Sequence, residues 1–138
     1  MKIKNILIPL DDSERTLESI NTTKVLFDKD KAAIKLLHIV DNYDVRGIDA
    51  RNPNTASDLS KDVLDKGESL LNGYNVEKIA VLGSHSSVVT DILKTIDSNE
   101  VDLVIMTKTG KGLFDKYIVG SVTSHILKRS PVPVMIIP

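Results

Sequence analysis

Residues 101–123 read VDLVIMTKTGKGLFDKYIVGSVT, in which an apolar run is followed by a glycine-containing stretch. The unbroken run Val101 to Met106 is typical of a strand covered on both faces. Gly110 and Gly112 follow it, and Gly120 opens a segment with helical periodicity. Such glycines let backbone N–H groups approach an anion, and a helix N-terminus offers further donors. The stretch therefore predicts either a phosphate-binding loop or a turn that leads into a capped helix.

Four further apolar runs surround this stretch, and each is short enough to form one strand. They are Ile6 to Ile8, Ile34 to Val40, Ile79 to Leu82 and Val132 to Ile137. The segments between the runs carry apolar residues at helical spacing, which predicts four helices in the order βαβαβαβαβ. Such alternation predicts an α/β fold with a five-stranded parallel sheet and right-handed crossovers. In this kind of sheet a ligand crevice lies at the carboxyl ends of the strands, near the point where strand order reverses.

The longest helix is predicted between the second and third strands. Its apolar stripe consists of Leu59, Val63, Gly67, Leu70 and Tyr74, with Gly73 as the stop signal. The polar stretch from Asp41 to Ser57 precedes it and is predicted to be the one long loop, either a flap or an irregular crossover. The last helix carries Val122, Ile126 and Leu127 and must end before Pro131.

Composition excludes several classes of protein. The 138 residues, 41% of them hydrophobic, predict one domain over residues 1–138. A net charge of −1 supplies no field that would attract nucleic acid or anionic lipid. With no cysteine the chain has no disulfide, thiolate metal site or cysteine nucleophile. The N-terminal apolar run, Ile6 to Leu10, is too short for a signal peptide or a membrane span, so we expect a cytoplasmic protein.

Polar groups collect at the predicted carboxyl edge of the sheet. Asp11 ends the first strand, where it can cap a helix or contact the base or ribose of a nucleotide. Ser121 is either the cap of the last helix or, with Thr123, a hydroxyl donor to phosphate. Three lysines near the glycines fit either phosphate neutralisation or a solvated basic face: Lys108, Lys111 and Lys116.

Metal and P-loop chemistry find little support in the sequence. His38, His85 and His125 lie on different elements without short-range ligand spacing, which predicts no metal site. His38 is interpreted as a strand residue and His125 as a surface position. The pair Gly110 and Lys111 lacks the first glycine of a P-loop, because residue 105 is isoleucine.

The chain resembles the universal stress protein family along its whole length. The segments that carry the resemblance are Asn5 to Glu14, Leu36 to Asp41, Gly83, Val101 to Met106 and Pro131 to Ile137. ATP-binding members carry a Gly-x2-Gly-x9-Gly-Ser/Thr signature, and Gly110, Gly120 and Ser121 match its last three fixed positions. Thr107 stands where that signature begins with glycine. The resemblance implies a Rossmann-like domain of the adenine nucleotide alpha hydrolase type.

The resemblance also implies a function, a dimer and a set of ligand contacts. It implies a regulatory module of the stress response that binds ATP with Mg²⁺, pairs as a homodimer through its C-terminal strand, and signals to a protein partner. Asp11 and the backbone of Ile39 would hold base and ribose, and Thr107 would crowd the phosphates or donate its hydroxyl to them. The phosphates would be held by Gly110, Gly120, Ser121, Val122 and Thr123.

Two expectations follow about activity. No residue is marked as a positioned base or as a group that stabilises transition-state charge, so we expect a binding module and not an enzyme, with at most slow ATPase activity. Some family members lack the glycine signature. Thr107 therefore keeps open the alternative of a nucleotide-independent dimeric interaction protein with the same fold.

Overall fold

The computed structural model describes residues 2–40, 54–83, 87–108 and 120–138. Within these ranges the strands are β1 (Asn5–Leu10), β2 (Ala33–Val40), β3 (Asn75–Leu82), β4 (Leu103–Thr107) and β5 (Val134–Ile137). A 3₁₀ turn, Glu14–Thr16, precedes the first of the helices, which are α1 (Leu17–Leu26), α2 (Thr55–Ser69), α3 (Val88–Ser98) and α4 (Ser121–Arg129). The alternation of strands and helices confirms the predicted α/β fold.

The strands form one parallel sheet in the order β3-β2-β1-β4-β5. β1 lies at its centre, paired with β2 from Asn5 to Leu10 on one side and with β4 on the other. The chain first adds β2 and β3 outward from β1 and then returns to add β4 and β5 on the opposite side. The strand order therefore reverses between β1 and β4, whose carboxyl ends at Leu10 and Thr107 adjoin the predicted crevice.

Each face of the sheet is covered by two helices, which explains the unbroken apolar runs. Ile6 and Ile8 of β1 pack in the core beneath α1 and α2, whereas Leu7 packs in the core beneath α3 and α4. All three side chains are fully buried. Burial of a side chain of this size stabilises the fold by about 2 kcal/mol, so each of these three residues helps to hold a helix layer against the sheet.

The limits of α2 differ from the predicted ones at both ends. The helix begins at Thr55, so the last residues of the predicted loop are helical, and the loop residues 41–53 lie outside the described residues. The helix ends at Ser69, four residues before Gly73. There the N–H groups of Leu70 and Leu71 turn back to carbonyls three residues earlier, which tightens the last turn and ends the helix. Gly73 instead takes a φ of 88° in the turn that follows.

The buried stripe of α2 is also displaced from the predicted one. The helix buries Ser60, Leu64 and Gly67, whereas Leu59 is 39% exposed and Val63 is half-buried. The prediction followed the apolar residues, and it missed that a serine faces the sheet. Ser60 is accepted there because its hydroxyl meets a ring nitrogen of His38.

The start of α3 and the end of α4 each follow from a local feature of the sequence. Ser87 caps α3 by accepting a hydrogen bond from the N–H of Thr90 at 3.2 Å. α4 ends at Arg129, before Pro131 as predicted, but Leu127 is 54% exposed and does not belong to the core. None of the described helices is long and apolar enough to cross a membrane.

Asp102, directly before β4, is hydrogen-bonded to the start of β1. Its Oδ2 accepts hydrogen bonds from the backbone N–H groups of Asn5 and Lys4, each at 2.9 Å. These two hydrogen bonds lower the pKa of the Asp102 carboxyl below its ordinary value of 3.8, and the bond from Asn5 has the larger effect. The carboxylate therefore contributes more to the stability of the folded chain when it is ionised.

The variant Asp102→Asn is expected to lose about 1 kcal/mol of stability at neutral pH, because a charged acceptor of two N–H groups becomes neutral. A pKa lowered by folding adds stability above the unfolded value, and that stability is lost as the pH falls through the folded value. The gap between wild type and variant should thus be smaller at pH 3 than at pH 7 in urea unfolding. Asp97→Asn, at an exposed site on α3, is the control. A gap that does not change with pH would contradict this account.

Candidate functional site

A cleft of about 600 Å³ opens at the carboxyl ends of β1, β2 and β4, at the point where the strand order reverses. This volume lies within the ordinary range for sites that bind small molecules. The described residues that line it are Pro9, Leu10, Asp11, Asp12, Thr16, Leu37, His38, Ile39, Leu59, Val63, Val88, Ile92, Met106, Thr107, Gly120, Ser121, Val122 and Thr123.

The cleft brings together most of the residues that the sequence predicted for the site. Those that line it are Asp11, Ile39, Thr107, Gly120, Ser121, Val122 and Thr123. Gly110 lies outside the described residues, as do Lys111 and Lys116. Asp11 directly follows β1 and Gly120 directly precedes α4, and the others lie in β2, β4 and α4. The parallel sheet thus brings together positions that are more than a hundred residues apart in sequence.

The N-terminus of α4 supplies hydrogen-bond donors to the cleft. Gly120 is the N-cap residue, and it has no side chain that could satisfy the first N–H groups of the helix. The first intrahelical bond runs from the N–H of Ser124 to the carbonyl of Gly120 at 2.9 Å. The geometry of a helix therefore leaves the N–H groups of Ser121, Val122 and Thr123 directed beyond its end. Together with the helix dipole they favour an anion at this position.

The interpretation of Ser121 as a helix cap is wrong, because Gly120 occupies the N-cap and Ser121 is the first helical residue. A cap needs an extended backbone before the helix, and the ψ of 153° at Gly120 meets that requirement. Ser121 is exposed and lines the cleft. Its hydroxyl therefore lies at the same end of the helix as the N–H donors.

Thr123 joins the helix to the strand beside it. Its hydroxyl donates a hydrogen bond to the carbonyl of Thr107 at 3.0 Å, and both residues are buried. A hydroxyl has one proton to donate, so the interpretation of the Thr123 side chain as a phosphate donor needs correction. The contribution of Thr123 to an anion site comes from its backbone N–H. The N–H of Gly120 donates to the carbonyl of Lys108 at 2.9 Å, so a second hydrogen bond holds the start of α4 against the end of β4.

Asp11 forms part of the turn at the opposite wall of the cleft. Its Oδ1 accepts the N–H of Ser13 at 2.8 Å, as in a turn closed by an aspartate side chain. It is not the cap of α1, because the N-cap position belongs to Thr16 and a 3₁₀ turn lies between. The carboxylate thus has a structural partner and still lies in the cleft.

Apolar side chains from two helices complete the cleft. Leu59 and Val63 come from α2, and Val88 and Ile92 come from α3. The sequence predicted Leu59 and Val63 as part of a helix face and did not assign them to the site. Helical periodicity marks an apolar face but does not tell whether that face covers the core or borders a cleft. Such a surface suits the planar ring of a base.

Charged groups are few in the described part of this cleft. Asp11, Asp12 and His38 are its titratable side chains there. His38 lies in β2 and His125 is exposed on α4, which confirms both interpretations, whereas His85 lies outside the described ranges. In the part of the chain that the structure describes, no cluster of three or more His, Asp or Glu side chains could hold a metal ion.

Comparison with known proteins places the chain in a family. The family model described as "Universal stress protein family" matches residues 2–138. Universal stress protein MJ0577 of Methanocaldococcus jannaschii is 24% identical over 155 aligned positions, which cover 97% of this chain and 94% of that protein. The solved structure of MJ0577 superposes on this chain with a TM-score of 0.79 at 26% identity. The superposition covers 99% of this chain and 96% of the MJ0577 chain.

Two further solved structures share the fold at lower identity. The universal stress protein from Archaeoglobus fulgidus in complex with dAMP has a TM-score of 0.66 at 15% identity, with full coverage of both chains. A universal stress protein in complex with cAMP has a TM-score of 0.71 at 14% identity, covering 99% of this chain and 98% of that one. The family model spans almost every residue of the chain, and the chain therefore belongs to the universal stress protein family.

Proposed function

We propose that this universal stress protein is a regulatory module that binds ATP with Mg²⁺ in the cleft between β1 and β4. One observation carries the proposal: the cleft joins the uncapped N-terminus of α4 to the carboxylate of Asp11 across the point where strand order reverses. A nucleotide needs an anion site at one end and a polar group for its ribose at the other. The two ends of this cleft offer those groups.

The phosphates would lie against the N-terminus of α4. The N–H groups of Ser121, Val122 and Thr123 and the Ser121 hydroxyl are the donors on the described side of the site. A helix N-terminus contributes up to about 2 kcal/mol to the binding of a partly buried anion, and each hydrogen bond to a charged group adds a similar amount. Mg²⁺ would arrive with the phosphates, since this ion keeps several waters and needs few protein ligands.

The nucleoside would occupy the other end of the cleft. Asp11 can accept hydrogen bonds from ribose hydroxyls, and the apolar residues of α2 and α3 can cover a base. The relatives with dAMP and cAMP hold adenine nucleotides in the same fold, which supports this class of ligand. The choice of ATP over these smaller nucleotides rests on the resemblance of Gly110, Gly120 and Ser121 to the signature of ATP-binding members.

The module is proposed to bind its nucleotide without rapid hydrolysis. The described residues of the cleft include no lysine or arginine, so on the described side of the site the charge that develops on a transferring phosphoryl group would meet only the N–H groups of α4, the Ser121 hydroxyl and the Mg²⁺ that accompanies the phosphates. Titration of nucleotide-stripped protein with Mg-ATP tests the binding, and phosphate release from the same sample tests the chemistry. We expect saturable binding and a turnover far below about 1 s⁻¹, the low end for ordinary enzymes.

A second candidate, the nucleotide-independent interaction protein, is favoured by Thr107. This residue stands at the cleft with 8% of its surface exposed, where the signature of ATP-binding members has glycine. A Cβ and a γ-methyl at this turn would crowd the phosphates. In that case the wild type should bind no nucleotide, and the variant Thr107→Gly should gain binding.

Both candidates are proposed to act as homodimers through β5. This strand is an edge of the sheet, and all four of its residues are only partly buried. On its other side β5 pairs with β4. The N–H of Lys108, directly after β4, donates to the carbonyl of Ile137 at 2.7 Å. The proposed nucleotide site at the end of β4 therefore adjoins β5. An uncovered apolar edge strand favours pairing with a second chain.

Light scattering of the purified protein at micromolar concentration is expected to give the mass of two chains. The variant Met135→Lys places a charge on β5 and should shift the protein towards the monomer, because a lysine at a strand edge opposes pairing. Met135 also packs against the core beneath α1 and α2, so the melting temperature of the variant is measured together with its mass. A monomer in the wild type at this concentration would refute the proposed dimer.

A further inference from the structure

The hydroxyl of Thr123 makes a hydrogen bond that leaves its own helix. Two buried threonines of other helices, Thr23 and Thr95, donate their hydroxyls to carbonyls four residues earlier in the same helix, at 2.7 and 2.9 Å. This is a common contact of a threonine inside a helix. Thr123 instead donates to the carbonyl of Thr107 on β4 at 3.0 Å. Its hydroxyl therefore connects two elements that line the nucleotide cleft.

The place of Thr123 in α4 explains this difference. It is the third residue of the helix, and four positions before it the chain has not yet entered the helix, because Gly120 is the N-cap. Valine has nearly the same shape and would pack well in the apolar layer beneath α4. Threonine instead buries a hydroxyl, which costs free energy unless the hydroxyl is hydrogen-bonded. The contact with Thr107 therefore accounts for a hydroxyl at this position, whereas packing does not.

Two hydrogen bonds attach the first turn of α4 to the end of β4. The N–H of Gly120 donates to the carbonyl of Lys108 at 2.9 Å. The hydroxyl of Thr123, three residues later, donates to the carbonyl of Thr107. The N–H groups of the first two helical residues lie between these attachments in the chain. A single attachment would let the first turn rotate about it, whereas two attachments fix the direction in which these N–H groups point.

The carbonyl of Thr107 faces the cleft side of β4. The N–H of Lys108 donates to Ile137 of β5. The C=O and N–H of one trans peptide group point in opposite directions. The Thr107 carbonyl shares its peptide group with that N–H, so it points away from β5 and towards the side on which β1 lies. Its oxygen carries a partial negative charge that opposes a nearby phosphate, and the proton of the Thr123 hydroxyl partly compensates this charge.

We propose that the hydroxyl of Thr123 is a positioning group of the nucleotide site, which holds the first turn of α4 so that its N–H groups meet the phosphates. This inference rests on the nucleotide-binding function proposed above. Hydrogen bonds weaken steeply when the donor is misaligned, and the helix dipole acts only close to the first turn. The fully buried Ile126 holds the helix on the sheet, but apolar contacts have no direction. Loss of the hydroxyl should therefore weaken nucleotide binding while the helix stays folded.

Four variants separate positioning by the hydroxyl from a general effect on stability. Thr123→Val keeps the shape of the side chain and removes the hydroxyl, and Thr123→Ala removes the hydroxyl without adding a methyl group. Thr123→Ser keeps the hydroxyl and removes the methyl. Thr95→Val is the matched control, because it makes the same change at a buried site of α3 that lies outside the described lining of the cleft. Both valine variants lose one hydrogen bond and should lose similar stability.

The experiment measures the dissociation constant of Mg-ATP for each protein by calorimetry, at a temperature where thermal unfolding shows all of them to be folded. Thr123→Val and Thr123→Ala should bind at least about tenfold more weakly than the wild type, the effect of one lost hydrogen bond to a charged group. Thr123→Ser and Thr95→Val should remain within about threefold of the wild type. Rescue by serine, together with the unchanged affinity of the control, would show that the hydroxyl acts on binding and not through stability.

Several results would overturn the inference. If the wild type binds Mg-ATP and both variants without the hydroxyl bind it equally well, Thr123 is purely structural, although the nucleotide function stands. Equal losses of affinity in Thr123→Val and Thr95→Val would show that binding follows stability. A loss in Thr123→Ser as large as in Thr123→Val would assign the effect to the methyl group. A folded wild type that binds no Mg-ATP would refute the proposed function itself, and the inference with it.

Discussion

Replacing Gly120 with aspartate is expected to abolish nucleotide binding while the fold remains intact. Gly120 is the N-cap of α4, with φ of −59° and ψ of 153°, angles that any L-residue can adopt. Aspartate is among the preferred N-cap residues, because its carboxylate accepts the first N–H groups of the helix. In this protein the same carboxylate would occupy the proposed phosphate site.

The expected loss of affinity is more than about 100-fold. A carboxylate some 5 Å from a phosphate costs roughly 3 kcal/mol at the effective dielectric near a protein surface. The matched control is Gly120→Asn, which has nearly the same shape and also caps helices but carries no charge. It should lose about tenfold or less, because it competes only for the N–H donors. Calorimetric titration with Mg-ATP measures both. If the aspartate variant binds with an affinity within a few-fold of the wild type, the phosphates do not lie at the N-terminus of α4.

Replacing Gly67 with valine is expected to produce the largest loss of stability. Gly67 lies on the buried face of α2, and a Cβ built on it would lie 2.9 Å from Cδ1 of Leu10, 3.1 Å from Cδ1 of Leu36 and 3.2 Å from Cδ1 of Ile20. These methyl groups belong to fully or almost fully buried side chains. Valine adds two γ-methyls to the same space, so these buried side chains must leave their packed positions or the helix must move outward.

We expect Gly67→Val to lose about 3 kcal/mol or more, which corresponds to a fall in melting temperature of about 10 °C for a domain of this size. Asp62→Val is the control, because it places the same side chain at an exposed site of the same helix. It should change stability by about 0.5 kcal/mol. Thermal unfolding followed by circular dichroism measures both variants. Equal melting temperatures would contradict the close approach of helix and sheet at Gly67.

The sheet could be predicted from the sequence because its strands are covered on both faces. Ile6, Leu7 and Ile8 are all fully buried, so the pattern of burial produces an unbroken apolar run. The parallel direction of the strands was also predictable, since alternating strands and helices allow few arrangements, whereas the order of the strands was not predicted. The boundaries of α2 were less accessible. Its end at Ser69 depends on local turns at Leu70 and Leu71 that apolar periodicity does not mark.

The cleft could be predicted only in part. Residues at strand ends, such as Asp11 and Thr107, were recognisable because parallel strands end at one edge of the sheet. The hydrogen bond from the Thr123 hydroxyl to the Thr107 carbonyl could not be recognised, since it depends on the distance between α4 and β4. The pair of His38 and Ser60 was missed for a similar reason. The sequence places these residues 22 positions apart on a strand and a helix, and only packing brings them together.

The most direct test of nucleotide binding at α4 is a titration of nucleotide-stripped wild type with Mg-ATP, run beside the Gly120→Asp variant. The account predicts saturable binding by the wild type and its loss in a variant that melts at or above the wild-type temperature. Absence of heat from the wild type at millimolar nucleotide, with a folded protein, would contradict it. That result would favour the nucleotide-independent interaction protein in which Thr107 closes the site.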